Sequence, residues 1–195
     1  IFDTYAKQDV KTVAGDKGAQ QIGARLFQTY CVQCHGTDMR GSKGFPNLVD
    51  KDWQWPGTPD GIKTTILEGR NGMMPAFAEQ LKPDQIADSA QYVLSLSGRS
   101  TAPDAVARGE TTFKQICSAC HGMDGKGNVA LGAPNLTDNT WLYGGSLATI
   151  VETLTKGRQG QMPAQKDMLG EARVHLLAAY VYAQSQEQSQ AGSKQ

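Results

Sequence analysis

Cys31-Val32-Gln33-Cys34-His35 recurs further along the chain as Cys117-Ser118-Ala119-Cys120-His121, and this pair of pentapeptides decides the fold. Two cysteines three residues apart, followed at once by a histidine, form the attachment signature of a c-type haem. The spacing has a chemical reason. On one turn of helix both sulfurs reach the vinyl groups of one porphyrin, and the next residue sets an imidazole beneath the iron. The alternatives are a zinc site or a disulfide pair, but zinc wants four ligands and each pentapeptide offers three. The two motifs use every cysteine in the chain. They point to two covalent haems, held by Cys31 and Cys34 and by Cys117 and Cys120, with His35 and His121 as the proximal iron ligands.

The 195 residues suffice for one or two domains. Charge is balanced, 19 basic against 19 acidic residues, and stays balanced in each half, 11 and 11 up to Arg99 and 8 and 8 beyond. No nucleic-acid partner is expected from such a surface. An apolar content of 39% is modest for two cores, and a haem per domain adds buried apolar area that side chains need not supply. No apolar run approaches the roughly 18 residues of a membrane span. The chain opens at Ile1 without a signal peptide, as expected of a processed product or an excised piece. Thioether attachment of haem takes place outside the bacterial cytoplasm, so the expected location is the periplasmic side of the inner membrane.

The halves align with an offset of 86 to 88 residues. Gly23 and Phe27 match Gly109 and Phe113, Pro46-Asn47-Leu48 matches Pro134-Asn135-Leu136, and Trp53 and Trp55 match Trp141 and Tyr143. Gly69-Arg70-Asn71-Gly72-Met73-Met74-Pro75-Ala76 matches Gly157-Arg158-Gln159-Gly160-Gln161-Met162-Pro163-Ala164. The one change in length is two extra residues between His121 and Pro134. Helical periodicity gives each half three helices joined by glycine-rich loops, with Thr58 and Ser146 as N-caps of the middle helix. The fold class read from this pattern is all-α, two tandem small domains with one haem each. The expected division is a leader over 1–17, domains over 18–98 and 104–184, a linker over 99–103 and a disordered Gln/Ser-rich tail over 185–195. Gly23 and Gly109 leave the first helix of each domain room to approach its last, with Phe27 or Phe113 and Tyr92 or Tyr180 filling around the crossing, an expectation that rests on resemblance to cytochromes c as much as on spacing.

The sixth iron ligand must come from the far face of the porphyrin. The remaining histidine, His175, aligns with Ala87 and reads as an ordinary helix-surface residue. Met39 and Met123 follow their histidines too closely to reach across. Met74 and Met162 align with each other, each before a proline, 39 and 41 residues after the histidine of its half. They are the candidate axial ligands, with Met73 and Met168 as substitutes. A thioether ligand favours ferrous iron and raises the potential, and two filled axial positions leave no open site for a substrate. Pro46 and Pro134 are expected to offer backbone carbonyls to the proximal imidazoles. Arg70, Arg158, Trp53 and Trp141 are candidate donors to the haem propionates.

The frame Pro-Asn-Leu-x-Asp-x-x-Trp-x-[Trp/Tyr]-x-Gly-[Thr/Ser] fits Pro46 to Thr58 and Pro134 to Ser146, and Gly-Arg-x-Gly-x-Met-Pro follows in both halves. Together they resemble the dihaem subunit, CcoP or FixP, of cbb3-type cytochrome c oxidases over about residues 5 to 184. The resemblance implies two class I cytochrome c domains, with His35/Met74 and His121/Met162 as axial pairs. It also implies a soluble donor cytochrome c as one partner and the other oxidase subunits as the next acceptors. The subunit would transfer electrons and not catalyse by itself. Members carry N-terminal transmembrane helices and this chain has none, so the expectation is that an anchor was cut away. A free dihaem carrier of the cytochrome c4 type is the runner-up, and a dihaem peroxidase, needing a displaceable ligand, is the third reading.

Overall fold

The structure, a computed structural model, describes residues 2–100 and 102–192, with side chains as far as residue 187. Two short helices come first, α1 (Phe2–Ala6) and α2 (Val10–Ala14). Asp9 caps α2 by accepting from the Thr12 amide, and Asp16 caps α3 (Lys17–Tyr30) by accepting from Ala19 at 2.7 Å. The buried face of α3 is Ala19, Gly23 and Phe27. It leads through Cys31 into the single turn α4 (Val32–His35). The next helix, α5 (Pro59–Glu68), starts from Thr58, whose hydroxyl accepts from Gly61, with proline at the first position. Strand β1 (Arg70–Met74) follows, then α6 (Pro83–Ser95).

The second half repeats this order with one local change. Helix α7 (Pro103–Thr112) widens into a π-helical turn over Phe113–Cys117 before α8 (Ser118–His121). After α9 (Leu147–Lys156) come β2 (Arg158–Met162), the short α10 (Lys166–Leu169) and α11 (Glu171–Gly192). Strands β1 and β2 pair with each other. A Cβ on Gly69 would strike the Met162 carbonyl, and one on Gly157 the Met74 carbonyl, so the strands run antiparallel. Both glycines hold φ near +70° (69° and 71°), a conformation that side chains disfavour. The fold is therefore helical with a small two-stranded sheet that helical periodicity did not predict.

The compact units are not the two sequence halves. One unit takes the residues up to Arg70 together with those from Gln161 onward; the other takes Asn71 to Gly160. The chain passes from one to the other within each strand. In the first unit α11 lies on α3, α5, α2 and α1. Its core joins Val10, Val13, Ala19, Phe27, Ile62 and Ile66 to Val174, Leu177, Ala178 and Val181. In the second, α6 lies on α7 and α9, and the core joins Ala90, Tyr92 and Val93 to Phe113, Ile150 and Leu154. The domains expected over 18–98 and 104–184 have thus exchanged their last helices.

The expected helix crossing forms, but between repeats. Gly23 meets Tyr180, and a Cβ there would lie 2.5 Å from the tyrosine Cβ and 2.9 Å from the Leu176 carbonyl. Gly109 is pressed on the Asp88 carbonyl. The aromatic fillers pair accordingly, Phe27 with Tyr180 at 5.9 Å and Tyr92 with Phe113 at 5.0 Å between centroids.

Three other boundaries are corrected. The stretch read as a leader is helical and part of the core, since Val10 and Val13 are buried against α11. The expected tail continues α11 as far as Gly192, and Ser185 is buried with its hydroxyl donating to the Tyr182 carbonyl. The segment read as a linker packs: Arg99 donates to the Gly145 carbonyl at 2.8 Å, and Ser100 to Gln91 at 2.7 Å. Ile1 of the leader, Thr101 of the linker and residues 193–195 of the tail lie outside the described residues.

Candidate haem sites

Each Cys-x-x-Cys-His motif occupies a helical turn, reached from α3 in one unit and from the π-helical turn in the other. Cys34 and Cys120 are exposed, while Cys31 and Cys117 are partly buried. Burial, with a smaller contribution from the neighbouring cysteine, pushes Cys31 and Cys117 up to about 11.

His35 and His121 are buried, at 8% and 7% exposure. The Nδ1 atom of His35 lies 3.1 Å from the Pro46 carbonyl oxygen, and that of His121 lies 3.0 Å from Pro134. A carbonyl only accepts, so Nδ1 carries the proton and Nε2 keeps a lone pair for a metal. Burial lowers both pKa values and the carbonyl contacts partly offset it, so both rings are held neutral. The loops between attachment and proline are built alike. Gly41 donates to the His35 carbonyl and Gly127 to that of His121, each at 2.8 Å.

The candidate methionines lie with the motif of the opposite half. Met162 packs, with Cys31, Val32, Leu48 and Trp53, against the core of the unit that carries His35. Met74 packs, with Ile116, Cys117, Leu136 and Trp141, against the core of the unit that carries His121. His35 and Met74 fall in different units, as do His121 and Met162, so the two members of each expected axial pair are not packed on one core. The cause is the exchange, because the chain changes unit just before each methionine or its aligned partner. Met73 and Met168 are far more exposed, at 77% and 58%. Met39, by contrast, is buried in the first core on a backbone of φ 62°.

Arg70 and Arg158 sit in matching cradles. Arg70 Nε donates to Thr65 Oγ1 at 2.9 Å with its guanidinium 4.7 Å from the Trp55 ring; Arg158 Nε donates to Thr153 Oγ1 at 2.9 Å and lies 4.8 Å from the Tyr143 ring. Sequence reasoning missed the two threonines and the stacking role of Trp55 and Tyr143. Their signal was available in the identical five-residue spacing from threonine to arginine in both repeats. Arg99 was also missed; it stacks over Trp141 at 5.1 Å. Trp53 packs on the first core, and both tryptophans cover glycines, Gly57 and Gly145.

A covalently held porphyrin suits these residues. Paired cysteines on an accessible turn adjoin an imidazole with a free Nε2, and a methionine shares the unit. In the second unit, among the described residues, Trp141 Nε1 and Arg158 Nη2 are buried without a hydrogen-bond acceptor, Arg158 Nη2 having only the more distant Glu152 carboxylate at 3.6 Å; this is costly unless a bound group supplies an acceptor. Propionate oxygens are acceptors of that kind.

The sequence model of the family described as cytochrome c oxidase, cbb3-type, subunit III matches residues 18–93 and again residues 104–181. The chain belongs to this family. The cbb3-type cytochrome c oxidase subunit CcoP of Rubrivivax gelatinosus is 45% identical, over 95% of this chain and 61% of its own length. CcoP of Cereibacter sphaeroides is 42% identical, over 93% and 68%, and FixP of Bradyrhizobium diazoefficiens is 45% identical, over 85% and 61%. This chain thus spans about three fifths to two thirds of these relatives. Membership implies covalent haem c, and it favours the oxidase-subunit reading over the free cytochrome c4 one. The two matched segments are the sequence repeats, whereas the compact units recombine them. Among the described residues no helix is long and apolar enough to cross a membrane.

Proposed function

We propose that the chain is a dihaem electron carrier that relays electrons from a soluble donor cytochrome c towards the catalytic subunit of a cbb3-type oxidase, on the periplasmic side of the membrane. One haem would be held by Cys31, Cys34, His35 and Met162. The other would be held by Cys117, Cys120, His121 and Met74. When bound, the haem supplies a reversible one-electron couple.

The observation that carries this reading is that each unit packs one Cys-x-x-Cys-His turn and one methionine of the Met-Pro frame against the same core. The protein's own part is positional. The Pro46 and Pro134 carbonyls fix the imidazole tautomer, so that Nε2 would be the nitrogen available to the iron. Met162 and Met74 would supply thioether ligands to the bound haems, which would suit transfer and not catalysis. Trp53, Trp141, Arg70 and Arg158 bind the propionates. The other subunits of the oxidase are the acceptors, as the relatives' names suggest.

The test is covalent haem content together with the optical spectrum of the oxidised protein. Two haems per chain, both low-spin and with the methionine-to-iron charge-transfer band, are expected. A high-spin haem or rapid peroxide turnover overturns the reading.

A further inference from the structure

The arginine cradles match in their threonine and aromatic ring and differ in one charge. In the second unit Glu152 Oε2 stands 3.6 Å from Arg158 Nη2, while its other oxygen lies 3.5 Å from Lys156 Nζ. The aligned position in the first repeat is Thr64, which is exposed. Among the described residues no carboxylate pairs with Arg70; the acid nearest in sequence, Glu68, stands 3.8 Å from Lys166. Arg158 is largely buried, at 20% side-chain exposure, so its charge is weakly screened and any partner on it is felt by its surroundings.

Resting on the haem assignment proposed above, we infer that Glu152 is a tuning residue of the second unit, which holds back part of the Arg158 charge and lowers the potential of the haem beside it. An arginine near the porphyrin favours the ferrous state, because reduction removes one positive charge from the iron. A carboxylate on that arginine opposes the effect. Glu152 pairs with Arg158 and Lys156, so it acts through Arg158 and through its own field. Thr153 and Tyr143 hold the guanidinium from the other sides and keep this geometry when the carboxylate is changed.

The experiment is spectroelectrochemical titration of the full chain carrying haem, with Glu152→Gln and, separately, Thr64→Glu. Glu152→Gln keeps the side-chain shape and removes the charge; it is expected to raise one of the two midpoints and leave the other in place. Thr64→Glu places a carboxylate on Arg70 from an exposed site and is expected to lower the other midpoint. The Glu152→Gln shift should shrink as salt rises, which a merely structural change would not do. Unchanged midpoints, a downward shift with Glu152→Gln, or both variants moving the same haem would overturn the inference while the haem reading stands. A chain that takes up no covalent haem overturns the haem reading and this inference with it.

Discussion

Gly23 lies against Tyr180 so closely that a methyl group on the glycine would overlap the tyrosine Cβ, and the two residues belong to opposite sequence repeats. The second contact of this kind, Gly109 on Asp88, again joins the two repeats. Duplicated domains have duplicated interfaces, so a last helix complementary to one first helix is complementary to both. The chain uses the crossed solution. Every residue supplied by the C-terminal part of a repeat, the methionine included, then serves the unit of the other repeat.

Ligation gives the most direct test of the exchange. Met74→Ala should remove the methionine charge-transfer band, and lower the potential, of the haem attached at Cys117 and Cys120. A chain in which Cys31 and Cys34 are both replaced by serine retains only that haem. In that background Met74→Ala is expected to abolish the band, while Met162→Ala leaves it. Loss of the band with Met162→Ala instead would restore the pairing within each half.

The glycine crossings themselves are sensitive to a single methyl group. At Gly109 the obstacle is the Asp88 main chain, which cannot rotate away; at Gly23 it is the Tyr180 Cβ and the Leu176 carbonyl. Gly109→Ala and Gly23→Ala should each destabilise their unit by about 1–3 kcal/mol or more, the usual range for overpacking. Urea denaturation followed by far-UV circular dichroism measures this directly. A loss below about 0.5 kcal/mol would mean that the helices separate readily.

Most of the local chemistry was legible in the sequence. The pentapeptides, the proline carbonyls opposite the histidines and the Gly-x-x-x-Phe helices are short-range patterns, whose geometry follows from spacing along one element. The exchange was not legible, because Tyr92 and Tyr180 are the same residue in the same frame and either fits either glycine. Periodicity was equally blind to β1 and β2, five residues each with glycine in the middle. Their partner lies nearly ninety positions away, and nothing local marks them as strands. Val10 and Val13 were overlooked because two apolar residues among polar ones do not outline a helix face until α11 is present.

The segment before α3 is therefore expected to behave as core. Val10 and Val13 are 2% and 0% exposed. Replacing both by alanine deletes four buried methyl groups and should cost about 2–4 kcal/mol, allowing for the cavity left behind. The denaturation midpoint of the first unit falls accordingly. A leader with no structural role would tolerate the same change within about 0.5 kcal/mol.

His175 completes the set, and its position runs against the surface placement that its unmatched partner Ala87 suggested. It is 3% exposed on α11, and among the described residues neither ring nitrogen has a hydrogen-bond partner. Burial is the main cause that lowers its pKa from the ordinary 6.5, and the Lys63 charge on α5 adds to it. The Gln8 main chain between α1 and α2, Glu171 on α11 and Asp60 on α5 offset part of this. The sign follows from linkage. The unfolded chain binds the proton more readily than the folded one, so stability is full above about pH 6.5 and falls as the pH drops through the folded-state value. If His35 and His121 bind iron as proposed, His175 is the one of the three histidines left to titrate in that window. His175→Leu keeps nearly the same volume and has nothing to protonate. Urea midpoints of the haem-loaded protein should decline from pH 7 to pH 5, and the leucine variant should decline less. Parallel profiles for the two proteins would show that another group carries the acid sensitivity.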